Sequence, residues 1–202
     1  MNIDLESQDR WDYRDPVDLQ FIDFADNKLI AYNLLGYGLV KLIDKTSASD
    51  STKTHRLSIS GYREYRREPL SSVIALSYEA GKSIRDFLDI GLSGRLYGME
   101  TSGSFTPGFG GSVWFTWHII NNKRFKLSYD NGVGPNYFTS AFPSGGTRFN
   151  FTSHYGFELA WKTSSSWLSI RLSNIHISNA GIRGRDRNPA LDAIGLRIST
   201  SW

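Results

Sequence analysis

Three side chains near the C-terminus have the types and spacing of an activated nucleophile: His176, Ser178 and Asp192. They lie in the run Asn-Ile-His-Ile-Ser-Asn-Ala-Gly-Ile-Arg-Gly-Arg-Asp-Arg-Asn-Pro-Ala-Leu-Asp, residues 174 to 192. The run begins as the end of an alternating strand, crosses a Gly- and Arg-rich loop and enters a second alternating strand. His176 and Ser178 are two apart, so on a strand both leave by the same face. Asp192 heads the following strand, and an antiparallel hairpin returns it to their neighbourhood. A hydroxyl, an imidazole and a carboxylate are the three parts of a serine hydrolase. By itself His-x-Ser is a weak signal, since a single His and Ser near a strand end are usually interfacial polar residues.

The surrounding residues make it stronger. His176-Ile-Ser178-Asn179-Ala180-Gly181, then Asn188-Pro189-Ala190-Leu191-Asp192 and an aromatic C-terminus, resembles the outer-membrane lipid A 3-O-deacylases of the PagL type. The resemblance is close over Asn174 to Trp202 and looser from Phe87. It implies Ser178 as nucleophile, His176 as general base and Asp192 as the orienting acid. This chain departs from the best-known form by carrying Asp rather than Glu at the last position and by a longer loop. The substrate implied is lipid A, the lipid of lipopolysaccharide, with other outer-membrane lipids as surroundings.

The elements that must position these residues are strands. From Arg56 onward the hydrophobic period is two, over eight segments: Arg56–Tyr65, Leu70–Glu79, Arg85–Gly98, Gly111–Ile120, Arg124–Gly134, Arg148–Trp161, Ser166–Ser178 and Leu191–Trp202. In the sixth, Phe149, Phe151, Tyr155, Phe157, Leu159 and Trp161 face one way; Asn150, Thr152, His154, Gly156 and Glu158 face the other. In the third, Leu88, Ile90, Leu92 and Leu96 oppose Asp89, Ser93 and Arg95. A soluble sandwich also alternates. Segments of about ten residues, with a charged face mixed with Gly and Ser, fit an eight-stranded antiparallel transmembrane β-barrel with a polar lumen and a lipid-facing skin.

Connection lengths predict the topology. Asn121-Asn122-Lys123 and Lys162 to Ser165 read as tight turns, whereas Met99 to Phe109, Pro135 to Thr147 and Asn179 to Ala190 read as long outer loops. The link between the second and third segments is ambiguous. In the seventh segment Leu168, Ile170 and Leu172 share parity with Asn174, His176 and Ser178. In the eighth, Asp192 shares parity with Ile194, Leu196, Ile198 and Trp202. All three candidate catalytic residues therefore continue lipid-facing rows at the outer strand ends. That placement suits a substrate lodged in the outer leaflet; a water-soluble one would be met in the lumen or on the loops.

The same run suggests supporting groups. Asn179-Ala180-Gly181 offers backbone N–H groups for an oxyanion, with Gly181 permitting close approach. Asn188 contributes to the site or shapes the turn before Pro189. Arg183, Arg185 and Arg187 are ordinarily a solvated loop; over lipid A they become candidates for its phosphates, with Arg66 and Arg67 on the first outer loop as further candidates. His154 and Glu158 are expected in a lumen network with Arg171, Arg197, Lys126 or Asp130, with His118 also inward. No His/Asp/Glu cluster has convincing ligand spacing, so neither a metal nor another cofactor is expected.

Composition is consistent with this. The chain has 202 residues, 14% of them aromatic, with 19 Gly and no Cys, so no disulfide framework or thiolate metal site is available. Its mean hydropathy is −0.35, and its apolar runs are too short for a membrane helix, which leaves a barrel open because barrel strands average out to polar. Charge is uneven: residues 1 to 26 hold eight acids against Arg10 and Arg14, a net of −6, so the remainder carries +9. A basic body points to an anionic partner. Nucleic acid is the generic reading, but phosphorylated lipid fits the strand pattern better, and no nucleic-acid partner is expected.

Residues 1–54 read as an acidic periplasmic arm with an amphipathic segment and a polar linker (residues 44 to 54), and residues 55–202 as the barrel. Within the arm, Leu29, Tyr32, Leu35, Leu39 and Leu42 would share one face of a short helix over Lys28 to Ile43, with a strand as the rival reading. The acidic front is wrong for a signal peptide, so an outer-membrane protein would have lost its leader. The expected function is a serine esterase removing the 3-position ester-linked acyl chain of lipid A in the outer leaflet. The alternatives are a non-catalytic small barrel acting as adhesin or structural link, and an outer-membrane phospholipase or acyltransferase using the same nucleophile.

Overall fold

The computed structural model describes residues 35–36, 53–66, 69–143, 145–181 and 189–202. Eight strands follow in chain order: β1 (Lys53–Glu64), β2 (Ser72–Arg85), β3 (Leu88–Thr101), β4 (Ser104–Asn121), β5 (Phe125–Phe142), β6 (Thr147–Lys162), β7 (Trp167–Ser178) and β8 (Leu191–Ser201). Each pairs antiparallel with its sequence neighbours, and β1 pairs with β8 to close the barrel. Closure leaves no sheet edge, so every strand has a neighbour on both sides.

Burial inverts what a soluble protein shows. The large apolar residues of the outward rows are exposed, among them Ile59, Ile74, Leu92, Leu96, Phe157, Leu172 and Ile198, while Arg56, Glu79, Asp130, Glu158, Arg171 and Arg197 are buried inside. Water would drive these two sets the other way; hydrocarbon outside drives them as found. The inward charges are paired. Arg197 Nη1 lies 2.6 Å from Glu79 Oε1, Arg171 Nη2 lies 2.7 Å from Glu158 Oε2, Arg56 bridges Glu79 and Glu158 at 3.2 and 3.3 Å, and Arg171 also bonds Asp130. His154 Nε2 reaches Asp130 Oδ1 at 3.3 Å. Lys126 instead places its ammonium 4.6 Å from the centre of the Trp167 ring.

A wholly polar lumen, as the alternation suggested, is not what forms. Towards the β7–β8 loop the interior gains an apolar cluster: Tyr62, Val73, Tyr97, Met99, Phe138, Phe142, Ile175, Ile177, Leu191 and Ala193 are buried together, beside polar groups such as Asn136 and Thr152. The inward row of β7 changes character on the way, from Arg171 and Ser173 to Ile175 and Ile177. This cluster backs the strand ends that carry His176, Ser178 and Asp192.

The connections also differ from expectation at two places. Met99 to Phe109 is mostly strand, because β3 and β4 extend to a two-residue turn at Ser102-Gly103, both with positive φ (49° and 77°). Two left-handed residues are what a tight hairpin of this hand needs. Pro135 to Thr147 is also mostly strand, with β5 running on to Phe142. Pro107 pairs with Gly98 of β3 and Pro135 with Phe151 of β6, so both lie inside strands where the sequence suggested loops. The ambiguous link is a tight turn at Asp86-Phe87 on the side of the chain ends. The loop between β7 and β8 is long, as expected.

Leu35 and Gly36 are helical, and the rest of the expected helix lies outside the described residues. They sit beside an outward patch on β3 and β4: a methyl on Gly36 would stand 3.3 Å from the Trp117 ring. Leu88, the register partner of Trp117, belongs to an outward row but is fully buried, unlike Leu92 and Leu96 of the same row.

Candidate active site

Alternation along β7 and β8 places the site. On β7, Leu168, Ile170 and Leu172 are exposed outward, and Asn174, His176 and Ser178 continue the same row towards the loop. On β8, Asp192 heads the row of Ile194, Leu196 and Ile198. His176 and Asp192 are register partners across the two strands. Directly opposed side chains on one face of an antiparallel pair are in contact range. Here the imidazole Nδ1 lies 2.9 Å from Asp192 Oδ1.

That bond fixes the ring. A carboxylate only accepts, so Nδ1 donates, and in the neutral imidazole Nε2 is then the nitrogen that can accept a proton. Ser178 lies two residues further along the row, about 7 Å by strand rise. Its Oγ accepts a 3.4 Å bond from the Ala180 amide. Ala180 and Gly181 both have positive φ (54° and 71°), so the chain turns sharply as it leaves β7. The Gly181 amide donates to Asn179 Oδ1 at 2.9 Å, an Asx-type turn that engages one of the N–H groups expected to be open.

Although on an outward row, these groups are not bare. Asp192 is only 2% exposed and Ser178 8%, whereas Leu172 on the same face is 56% exposed. The segment just after β1 reaches Asp192 and Asn174. The Tyr65 backbone N–H donates to the Asp192 carbonyl at 3.2 Å, carrying the β1–β8 pairing one step past β1. Tyr65 Oη accepts from Asn174 Nδ2 at 2.8 Å, and Arg66 Nη1 donates to Asp192 Oδ2 at 2.9 Å.

The fold and the sequence have known counterparts. The family described as Lipid A 3-O-deacylase (PagL) matches residues 61–201. The chain belongs to the PagL family. No individual curated protein sequence matches it. Among solved structures, the outer membrane enzyme PagL aligns with a TM-score of 0.55 at 15% identity, covering 71% of this chain and 97% of that one. Neisserial surface protein A aligns with a TM-score of 0.55 at 8% identity, covering 76% and 98%. At such identities the two structures speak for the eight-stranded barrel alone; the family assignment rests on the sequence match.

For a PagL-family chain, the sequence-derived site residues divide into three groups. His176, Ser178 and Asp192 lie on one face, with His176 and Asp192 bonded. Asn179, Ala180 and Gly181 form the turn at the end of β7, hydrogen-bonded as described. Arg183, Arg185, Arg187, Asn188 and Arg67 lie outside the described residues.

Sequence reading missed the parts played by Tyr65 and Asn174, and it offered Arg66 only as a phosphate ligand. Asn174 had a signal, its parity with His176 and Ser178. Tyr65 and Arg66 had none locally. They reach the site because closure pairs Glu64 with Ala193, although Arg66 and Asp192 are 126 positions apart in the chain.

Proposed function

We propose that this chain is a serine esterase that hydrolyses the 3-position ester-linked acyl chain of lipid A, working from the outer membrane on the outer leaflet. The observation that carries this reading is the bonded His176–Asp192 pair on the same hydrocarbon-facing rows as Ser178. A structural barrel has no use for imidazole, hydroxyl and carboxylate at the ends of rows that begin as Leu and Ile. A substrate whose scissile ester sits at the edge of the hydrocarbon meets them there.

In this mechanism His176 Nε2 takes the Ser178 proton as Oγ attacks the ester carbonyl carbon. The tetrahedral oxyanion collapses, the C–O bond to the sugar breaks, and His176 returns the proton to the departing 3-hydroxyl. Water, deprotonated by His176, then attacks the acyl-enzyme, releasing the fatty acid and restoring Ser178. Asp192 holds the ring and offsets the imidazolium charge. The Ala180 amide, already at Ser178 Oγ, would donate to the oxyanion. Gly181 N–H joins only if Asn179 Oδ1 releases it.

The acyl chain would lie along Leu172 and Ile170, below Ser178 on the row. Mass spectrometry of lipid A before and after incubation with refolded protein is the test. A loss equal to one 3-position acyl chain, with free fatty acid as co-product, is expected. A chain moved to an acceptor rather than freed would make the enzyme an acyltransferase. Unchanged lipid A would leave the barrel without this activity.

A further inference from the structure

Arg66 stands on the second oxygen of the carboxylate that holds His176. Asp192 Oδ1 accepts from the imidazole and Oδ2 from the guanidinium, each at 2.9 Å, with the carboxylate almost out of solvent. A buried carboxylate with one oxygen unpaired is costly and free to rotate about its last bond. A second, charge-assisted bond removes that freedom. Resting on the triad proposed above, we infer that Arg66 is a positioning residue of the catalytic apparatus, acting through Asp192 to hold His176 in register with Ser178.

Arg66 is itself held. Its guanidinium lies 5.9 Å from the centre of the Tyr65 ring, and its side chain is mostly buried. Tyr65 is anchored twice, by its backbone to the Asp192 carbonyl and by its hydroxyl to Asn174. The base of the same link is tied by Glu64 N–H to the Ser71 carbonyl at 2.9 Å and by Ser71 N–H to Glu64 Oε2 at 3.0 Å. The arginine thus belongs to a braced corner where β1 closes on β8. A cation placed for lipid phosphate would extend from the surface. This one is spent on a side chain of the protein.

A positioning role separates Arg66 from the arginines of the β7–β8 loop. A phosphate ligand binds substrate and transition state alike, so its loss raises KM. A group that orients the base is felt in kcat. Kinetics of Arg66→Met on lipid A should show kcat lowered about tenfold to a hundredfold with KM within about twofold, equally for phosphorylated and dephosphorylated substrate. Arg66→Lys should recover part of the loss, since a point charge replaces a rigid fork.

The decisive measurement is the double-mutant cycle with Asp192→Asn. If Arg66 works through Asp192, Arg66→Met should cost less than about threefold once the carboxylate is gone. The same loss in both backgrounds, or a KM effect confined to phosphorylated lipid A, overturns the inference.

A readout without turnover accompanies it: the imidazole Nδ1–H proton resonance of His176 in detergent micelles, recorded on Ser178→Ala protein. Arg66→Met should broaden it or shift it upfield, and an unchanged resonance counts against the assignment. Folding is checked by gel mobility before and after heating; should Arg66→Met fail to refold, Arg66→Gln takes its place. Ser178→Ala retaining full activity would instead remove the triad itself, a result distinct from any Arg66 outcome.

Discussion

His176 and Asp192 face each other as register partners at the ends of β7 and β8, with Nδ1 2.9 Å from Oδ1. Their bond is set by two strands and the barrel's closure rather than by the loop joining them, so it should survive changes in that loop. What depends on it is orientation. Asp192→Ala is expected to lower kcat, by less than loss of the nucleophile does, and leave the barrel folded. Asp192→Glu should retain more activity than Asp192→Ala, because a carboxylate one methylene longer still reaches the ring. Equal rates for wild type and both variants, in a lipid A release assay, would remove Asp192 from the mechanism.

Ser178→Ala removes the bond-forming group, and activity should fall by about three or more orders of magnitude, further than for Asp192→Ala. The hydroxyl contributes one 3.4 Å contact with the Ala180 amide, so stability should change little. Fatty-acid release by the purified variant, beside its heat-modifiable mobility, reads both.

Replacing Arg183, Arg185 and Arg187 together by Gln should raise KM for phosphorylated lipid A and have less effect on dephosphorylated substrate. Steady-state kinetics on the two substrates decides. An equal loss on both would mean that these arginines support the loop rather than bind phosphate.

The interior makes a prediction about stability alone. Arg171 is 1% exposed and bonded to both Asp130 and Glu158. Arg171→Met would leave two buried carboxylates short of a partner, at a cost of about 3 to 5 kcal/mol. Urea unfolding in lipid vesicles measures it. Arg171→Met, Glu158→Gln and Asp130→Asn combined should recover much of the loss, since a buried pair is hurt most by removing one side.

What the sequence determined by itself is whatever depends on spacing along one strand. Period-two alternation marks Phe149 to Trp161 and Leu168 to Leu172 as lipid-facing rows, and the same count puts His176, Ser178 and Asp192 on such rows, because successive side chains must leave a strand on opposite sides. The tight turns at Asn122 and after Lys162 were legible for a similarly local reason.

What only the tertiary structure decided are relations between strands. Pro107 and Pro135 remain in strands because pairing with Gly98 and with Phe151 on a neighbouring strand overrides a preference for turns. The interior turns apolar at Ile175 and Ile177 because side chains from other strands, Tyr62, Met99 and Phe138 among them, converge there. Arg66 meets Asp192 because β1 closes against β8. No local pattern encodes that contact: it spans 126 residues, and its register is set by the shear of the whole barrel.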